Sequence, residues 1–208
     1  MTNIPFYAAH GRRCGQTALK SILKAKLPER DFSHKELDEL TFHSSDEMTF
    51  PCQIAAAFAQ LGIEFFYPVS PGGFKRMNDN FEEDVFRLCG DHGERYLKYS
   101  SLGGIRKSVK LIRRSPGVVE SETKPEVKDL ERFLQEGRIP LCLINHDLFV
   151  GKENRFVGHY IILTGIDSAE ITYHDNGPKN PAPNKRSPIN CLTRAWNLSI
   201  YDHNLIVV

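Results

Sequence analysis

The order in which two periodicities occur constrains this chain most. Apolar residues recur at helical spacing through much of residues 1–137, and runs of strand character crowd the remainder. In CGQTALKSILKAKL, residues 14–27, Ala18, Leu19, Ile22 and Leu23 fall on one helical face, and Pro28 stops the run. Ser33 and Glu36 form a capping box that opens a short polar helix through Leu40. Pro51 opens the apolar helix PCQIAAAFAQLG, which Gly62 ends, and IEFFYPV follows as a strand. Residues 70–80 read as a loop, 81–90 as a helix, and Gly103-Gly104 as a turn before a basic helix near 105–114. VKDLERFLQEG is an amphipathic helix ended by Gly137. After it come three strands, IPLCLIN, GHYIILTGI and EITYHD. Residues 176–188 read as a Pro-rich loop, and a short helix near 192–196 and the strand NLIVV close the chain. Helices that lead and strands that follow predict an α+β fold, not alternating βαβ units. No repeat or linker divides the chain, so residues 1–208 are expected to form a single domain.

Composition narrows the function classes. A chain of 208 residues with 40% hydrophobic content can fill a sizeable core. Its 27 Lys and Arg balance 26 Asp and Glu, leaving a net charge of +1, so no field is built for nucleic acid or anionic membrane. No apolar run approaches the ~18 residues of a membrane span. The start, MTNIPFYAAHGRRC, lacks the charged-then-apolar pattern of a secretory signal. The five cysteines are odd in number and far apart, which predicts free thiols in a reducing compartment, with cytoplasm the default. Cys89 and His92 are three residues apart and the other histidines are scattered, so neither a metal site nor a cofactor is expected. Arg106, Lys107, Lys110, Arg113 and Arg114 form a basic stretch that reads as a solvated helix face.

Three residues carry the candidate chemistry. Cys14 opens the first helix, where the dipole and free N–H groups favour thiolate. Gly15 beside it leaves room for a substrate backbone. His159 opens a strand behind Gly158, a position suited to a cleft. Asp175 ends the following strand. A three-residue turn at Asp167-Ser168-Ala169 pairs position 161 with 175 and makes Asp175 a diagonal, same-face neighbour of His159, whereas a two-residue turn puts it on the other face. Asp175 can then orient the imidazole while the other ring nitrogen meets the thiol.

These residues give the chain a resemblance to the papain-like cysteine peptidases, nearest the bacteriocin-leader (double-glycine) peptidases and their stand-alone relatives. RRCGQTALKSIL, IPLCLIN, VGHYIILTGID and ITYHDNGP carry it, and the Cys-to-His separation falls inside the ~130–150 residues of papain-type enzymes. The resemblance implies a two-lobed domain, an N-terminal helical lobe with the catalytic Cys at a helix start and a C-terminal antiparallel β lobe. It implies Cys14 as nucleophile, His159 as general base and Asp175 as orienting acid. It also implies a peptide or protein substrate, and hydrolysis of an amide bond. Glutamine deamidation, acyl transfer, or a weakened or inactive peptide-binding domain are the alternatives on the same fold.

The chain departs from the family at one place. Relatives carry a Gln six residues before the Cys as an oxyanion donor, and here that position is Ala8. Tyr7, His10 and Gln16 are the candidate substitutes, beside the backbone N–H of Cys14. A weakened oxyanion site, with 13 residues preceding Cys14, points to narrow specificity rather than broad digestion. Asn145 ends the strand before the His159 strand, where it either positions substrate or histidine or caps the strand.

Overall fold

A computed structural model describes residues 3–43, 47–72, 93–152, 157–196 and 203–208. The helix expected at 81–90, Cys89, His92 and the loop beyond Gly72 lie outside the described residues. The fold is mixed α+β. In chain order the described elements are α1 Cys14–Lys26, α2 His34–Leu40, α3 Pro51–Gln60, β1 Tyr67–Val69, α4 Gly93–Lys98, α5 Leu102–Ile112, β2 Val118–Glu120, α6 Val127–Gln135, β3 Pro140–Asn145, α7 His146–Phe149, β4 Gly158–Ile166, β5 Glu170–Asp175, β6 Ala182–Pro188, α8 Ile189–Trp196 and β7 Leu205–Val207.

An antiparallel sheet of order β6-β5-β4-β3-β7 organises the packing. Alternate residues of its central strands feed two separate cores. Leu141, Tyr160, Ile162 and Ile206 join Leu19, Ile22, Phe58 and Ile105 from α1, α3 and α5. Cys142, Ile144, Ile161 and Leu163 join Leu130, Phe133, Leu192 and Trp196 from α6 and α8. Helices on both faces explain why β3 and β4 read as continuous apolar runs rather than alternating ones.

Several expectations hold in detail. Ser33 accepts from the Glu36 N–H while Glu36 accepts from the Ser33 N–H, the reciprocal capping box. Others need correction. Only Tyr67–Val69 of the 63–69 segment forms a strand, and it pairs in parallel with β2 in a small second sheet. Gly103 and Gly104 lie in the first turn of α5, not in a turn before it. Gly104 is needed there because a Cβ would run into the Phe42 carbonyl oxygen. The supposed Pro-rich loop holds β6. This strand is the sheet edge, where prolines cost no ladder bond.

Two irregularities flank β5. Asp167 N–H donates to Glu170 O at 2.9 Å, so the β4–β5 turn is the two-residue Ser168-Ala169. That turn alone would set Asp175 on the wrong face. Between Leu163 and Gly165, however, β4 carries one extra residue, Thr164, and beyond this bulge Ile161 pairs with Asp175. On the other side, β6 carries one extra residue between its pairs Tyr173↔Lys185 and Asp175↔Ala182. Asn184, with φ of 50°, sits in that bulge, and the Thr164 hydroxyl reaches its side-chain oxygen across β5 at 3.3 Å.

Candidate active site

The nucleophile position follows from how α1 begins. Arg13, the N-cap residue, supplies no side-chain cap, so the helix start keeps free N–H groups around Cys14. The Arg13 guanidinium turns away to both oxygens of Asp38, each at 2.9 Å, and His43 Nδ1 approaches the same carboxylate at 3.3 Å. This cluster ties the first turn of α1 to α2. Gly15 anchors it from the other side. A Cβ there would lie 2.9 Å from Thr49 Cβ and 3.2 Å from Tyr160 Cε2. Its small size therefore serves close packing of α1 on β4.

That packing brings Cys14 to His159, one residue before Tyr160. The two side chains lie close enough for each to shift the titration of the other. His159 Nε2 donates to Asp175 Oδ1 at 2.8 Å, which leaves Nδ1 for the sulfur. The three residues of the expected triad are thus together, and Asp175 lies on the His159 face through the Thr164 bulge rather than a three-residue turn. Asp175 is 7% exposed and His159 6%.

The electrostatics follow from these contacts. Burial pushes the Cys14 thiol up, but hydrogen bonding to His159, the imidazolium charge, and the backbone N–H groups of Tyr160 and Gly15 together bring it below its ordinary value. Burial works against the His159 charge too. The hydrogen bonds to Asp175 and Cys14 and their charges overcome it, and the imidazole is raised to about 9. Burial raises Asp175, yet His159, Lys185 and the Gly177 N–H hold it well below the usual carboxylate range. The group can hold a thiolate–imidazolium pair oriented by a carboxylate.

Three neighbours were not anticipated from the sequence. Lys185 Nζ donates to Asp175 Oδ2 at 2.6 Å. Gly177 donates its N–H to Asp175 Oδ1 at 3.0 Å, and a Cβ at this position would lie 2.6 Å from His159 Cε1. The His146 ring stands edge-on to the His159 ring, centroids 5.5 Å apart, and burial followed by the His159 charge lowers its pKa.

The remaining candidates are placed elsewhere. Asn145 is the N-cap of α7, its side-chain oxygen accepting from the N–H groups of Asp147 and Val157 at 3.1 and 3.2 Å. It caps the helix that follows rather than the strand it ends, and thereby sets His146 beside His159. Gln16 is fully buried, accepts from the Thr49 hydroxyl at 3.0 Å, and has an enclosed Nε2 that no substrate oxygen could reach. Tyr7 gives its carbonyl to Asn176 Nδ2 at 2.6 Å, and its ring lies under Lys20 Nζ. His10 is exposed. None of these contacts joins Tyr7 or His10 to the thiol. With the Ile4 carbonyl bonded to His174 Nε2 and the Ala9 N–H to Asn176 O, residues 4–9 are strapped alongside the end of β5.

A cavity of about 600 Å³ opens at the far end of β4, lined by residues such as Ile4, Leu134, Arg138 and Ile166, and touches none of the triad. Among the described residues no group of three or more His, Cys, Asp or Glu is arranged to hold a metal ion. Among them, too, no helix is long and apolar enough to cross a membrane. No protein-family model matches this sequence, and no curated protein matches it either.

Proposed function

We propose that this protein is a thiol-dependent amide hydrolase, a papain-like cysteine peptidase of narrow specificity that works in the cytoplasm on a peptide or protein substrate. The observation that carries the reading is the meeting of Cys14, His159 and Asp175, with His159 Nε2 bonded to Asp175 Oδ1 and the thiol lowered by the imidazole. A nucleophile borne by a helix start, facing a base and an orienting acid borne by an antiparallel sheet, is what the two-lobed papain-like arrangement requires.

In this reading the Cys14 thiolate attacks the substrate carbonyl, forming a C–S bond as the carbonyl electron pair moves to oxygen. The helix-start N–H groups face the developing oxyanion. As the C–N bond breaks, His159 gives its proton to the leaving amine. Water then loses a proton to His159 and attacks the thioester, which frees the acid and restores the ion pair. If the leaving group is ammonia from a Gln side chain the same steps amount to deamidation, and if an amine replaces water they amount to acyl transfer. The non-catalytic reading draws its support from position 8, where Ala8 offers no side-chain donor, and from the buried Gln16, which cannot replace it.

Alkylation by iodoacetamide at neutral pH, followed thiol by thiol, tests the proposal. Cys14 should react far faster than the other four cysteines, and Cys14→Ala should remove the fast site. Uniformly slow alkylation would sink the enzyme reading. Mass spectrometry of a cell extract treated with either protein then separates the chemistries. New chain termini mark a peptidase, and a gain of about one dalton on Gln marks a deamidase.

A further inference from the structure

From the arrangement around Asp175 we infer that Lys185 is a fourth, positioning member of the site, which locks the Asp175 carboxylate toward His159 and tunes the pH range in which the thiolate–imidazolium pair exists. The inference rests on the proposed thiol chemistry and deepens it.

The argument begins with the acceptor sites of Asp175. Oδ1 accepts from His159 Nε2 at 2.8 Å and from the Gly177 N–H at 3.0 Å. Oδ2 accepts from Lys185 Nζ at 2.6 Å. With both oxygens occupied, the carboxylate cannot rotate without breaking a charge-assisted bond, so the imidazole it holds is fixed in plane and tautomer. The same ammonium donates to the Asn180 carbonyl oxygen at 2.7 Å. Lys185 therefore ties the 176–181 turn down over the carboxylate that the turn adjoins.

Lys185 reaches this place only through strand register. It pairs with Tyr173, two residues from Asp175 and on the same face of β5, and this register makes it a diagonal neighbour of Asp175. Its side chain is 29% exposed, so the charge sits at the rim of the site rather than in its centre.

The electrostatic consequence has a definite sign. The charged groups facing His159 are Cys14 from α1, Asp175 from β5, Lys185 from β6 through Asp175, and His146 from α7. Tyr173 and Cys191 flank the Lys185 side. Cys14, His159, Asp175 and Lys185 alternate in charge. Lys185 offsets part of the Asp175 pull on the imidazolium, so its cation lowers the pH at which His159 loses its proton. It also favours the thiolate. Removing that cation while keeping the side-chain bulk should move both limbs of a pH–reactivity profile upward.

The test compares wild type, Lys185→Met and Lys185→Arg in pH profiles of Cys14 alkylation and of turnover. Lys185→Met should raise both limbs by roughly 0.3–1 pH unit. It should also lower kcat by about 10-fold with little change in KM, because a freed Asp175 holds the imidazole less well. Lys185→Arg should restore the limbs. Lys185→Gln serves as a second neutral variant should the Met variant not fold. Limbs that stay put in a folded neutral variant would overturn the assignment, whether or not the rate falls. This outcome is distinct from failure of the thiol chemistry itself, which would appear as slow Cys14 alkylation in the wild type.

Discussion

Cys14 and Cys142 are two free thiols on one framework, the first half-buried and the second fully buried, and they shift in opposite directions. Cys142 lies in the middle of β3, fully buried among Ile144, Ile161 and Leu163 of the second core. Burial is the one influence on it, and the thiol is pushed far above its ordinary range. Cys14, half-buried, is desolvated as well, yet ends below its ordinary value. The difference lies in the neighbours. Mid-strand, the backbone N–H groups are spent on the ladder and the side chains are apolar. At the start of α1 the N–H groups are free and an imidazole stands opposite. The lesson is that enclosure strengthens whichever partners are present. Without partners it makes a thiol inert, and with a cation and donors it makes one reactive.

The sharpest way to break the contrast is to remove the imidazole. His159→Ala leaves Cys14 with its burial and helix start but no counter-ion, so it should drift toward the behaviour of Cys142. Alkylation of Cys14 at neutral pH should fall by about 100-fold or more, and turnover by more than ~10³-fold. Thiol-resolved mass spectrometry reads both cysteines in one sample. A Cys14 that stays fast would assign the activation to the helix start instead.

A gentler change moves the ring without removing it. Gly177→Ala puts a Cβ where the His159 Cε1 atom now leaves 2.6 Å, while the Gly177 N–H bond to Asp175 can persist. Displacing the imidazole by a fraction of an ångström should cost about 10²-fold in kcat/KM. Folding should be little affected, as thermal midpoints would show. A fully active Ala variant would mean that the ring has slack.

The smallest expected effect is on stability against pH, where the coupled pair must be treated as a unit. His159 alone, raised from 6.5 to about 9, contributes stability that is complete below about pH 6.5 and is lost as pH rises through 9. Cys14 alone, lowered from 9.0, contributes stability that is complete above pH 9 and is lost as pH falls through its folded value. Below pH 9 and above the folded Cys14 value, once the pH also exceeds 6.5, the folded pair and the unfolded pair each hold one proton, so the two slopes cancel. The wild-type thermal midpoint should be flat across that range. Cys14→Ala removes the thiolate's share of the His159 shift and leaves that of Asp175, so the midpoint should fall as pH rises, over a narrower window. A flat profile in the variant would mean that Asp175 alone does not raise the imidazole. Above pH 9 Cys142 adds a decline in both proteins, because its thiol ionises only when unfolded.

Much of the site was legible because its three main residues sit at local boundaries. A helix start, a strand start and a strand end leave marks in caps, glycines and periodicity, and these place Cys14, His159 and Asp175. The face of Asp175 was reached by a turn length that the structure does not have. A bulge is one unpaired residue with no strong composition of its own, so Thr164 left no mark. Lys185 was hidden because prolines at 181, 183 and 188 read as a loop, although an edge strand tolerates them. The polar stretch Asn184-Lys185-Arg186-Ser187, following two strands, was the available hint of a third. Gly177 reads as an ordinary turn glycine in Asn-Gly-Pro, and its contact with an imidazole 18 residues upstream is a tertiary fact. His146 is likewise brought to His159 by the cap of Asn145 and not by spacing.

The paired bulges at Thr164 and Asn184 also decide which kinds of genetic change the site can survive. Side chains in a strand alternate, so an exchange of either bulge residue for another leaves Asp175 facing His159. So does the loss of Thr164 itself. With that one codon gone, the β4–β5 pairing becomes regular, and Leu163 still meets Tyr173 and Ile161 still meets Asp175, so His159 keeps its face. Loss of Asn184 would in the same way leave Lys185 opposite Tyr173 and Ala182 opposite Asp175. The site is thus tolerant at these two positions both of misspelling and of omission. Descendants of this sequence should vary in the letters at 164 and 184, and some should lack one of them.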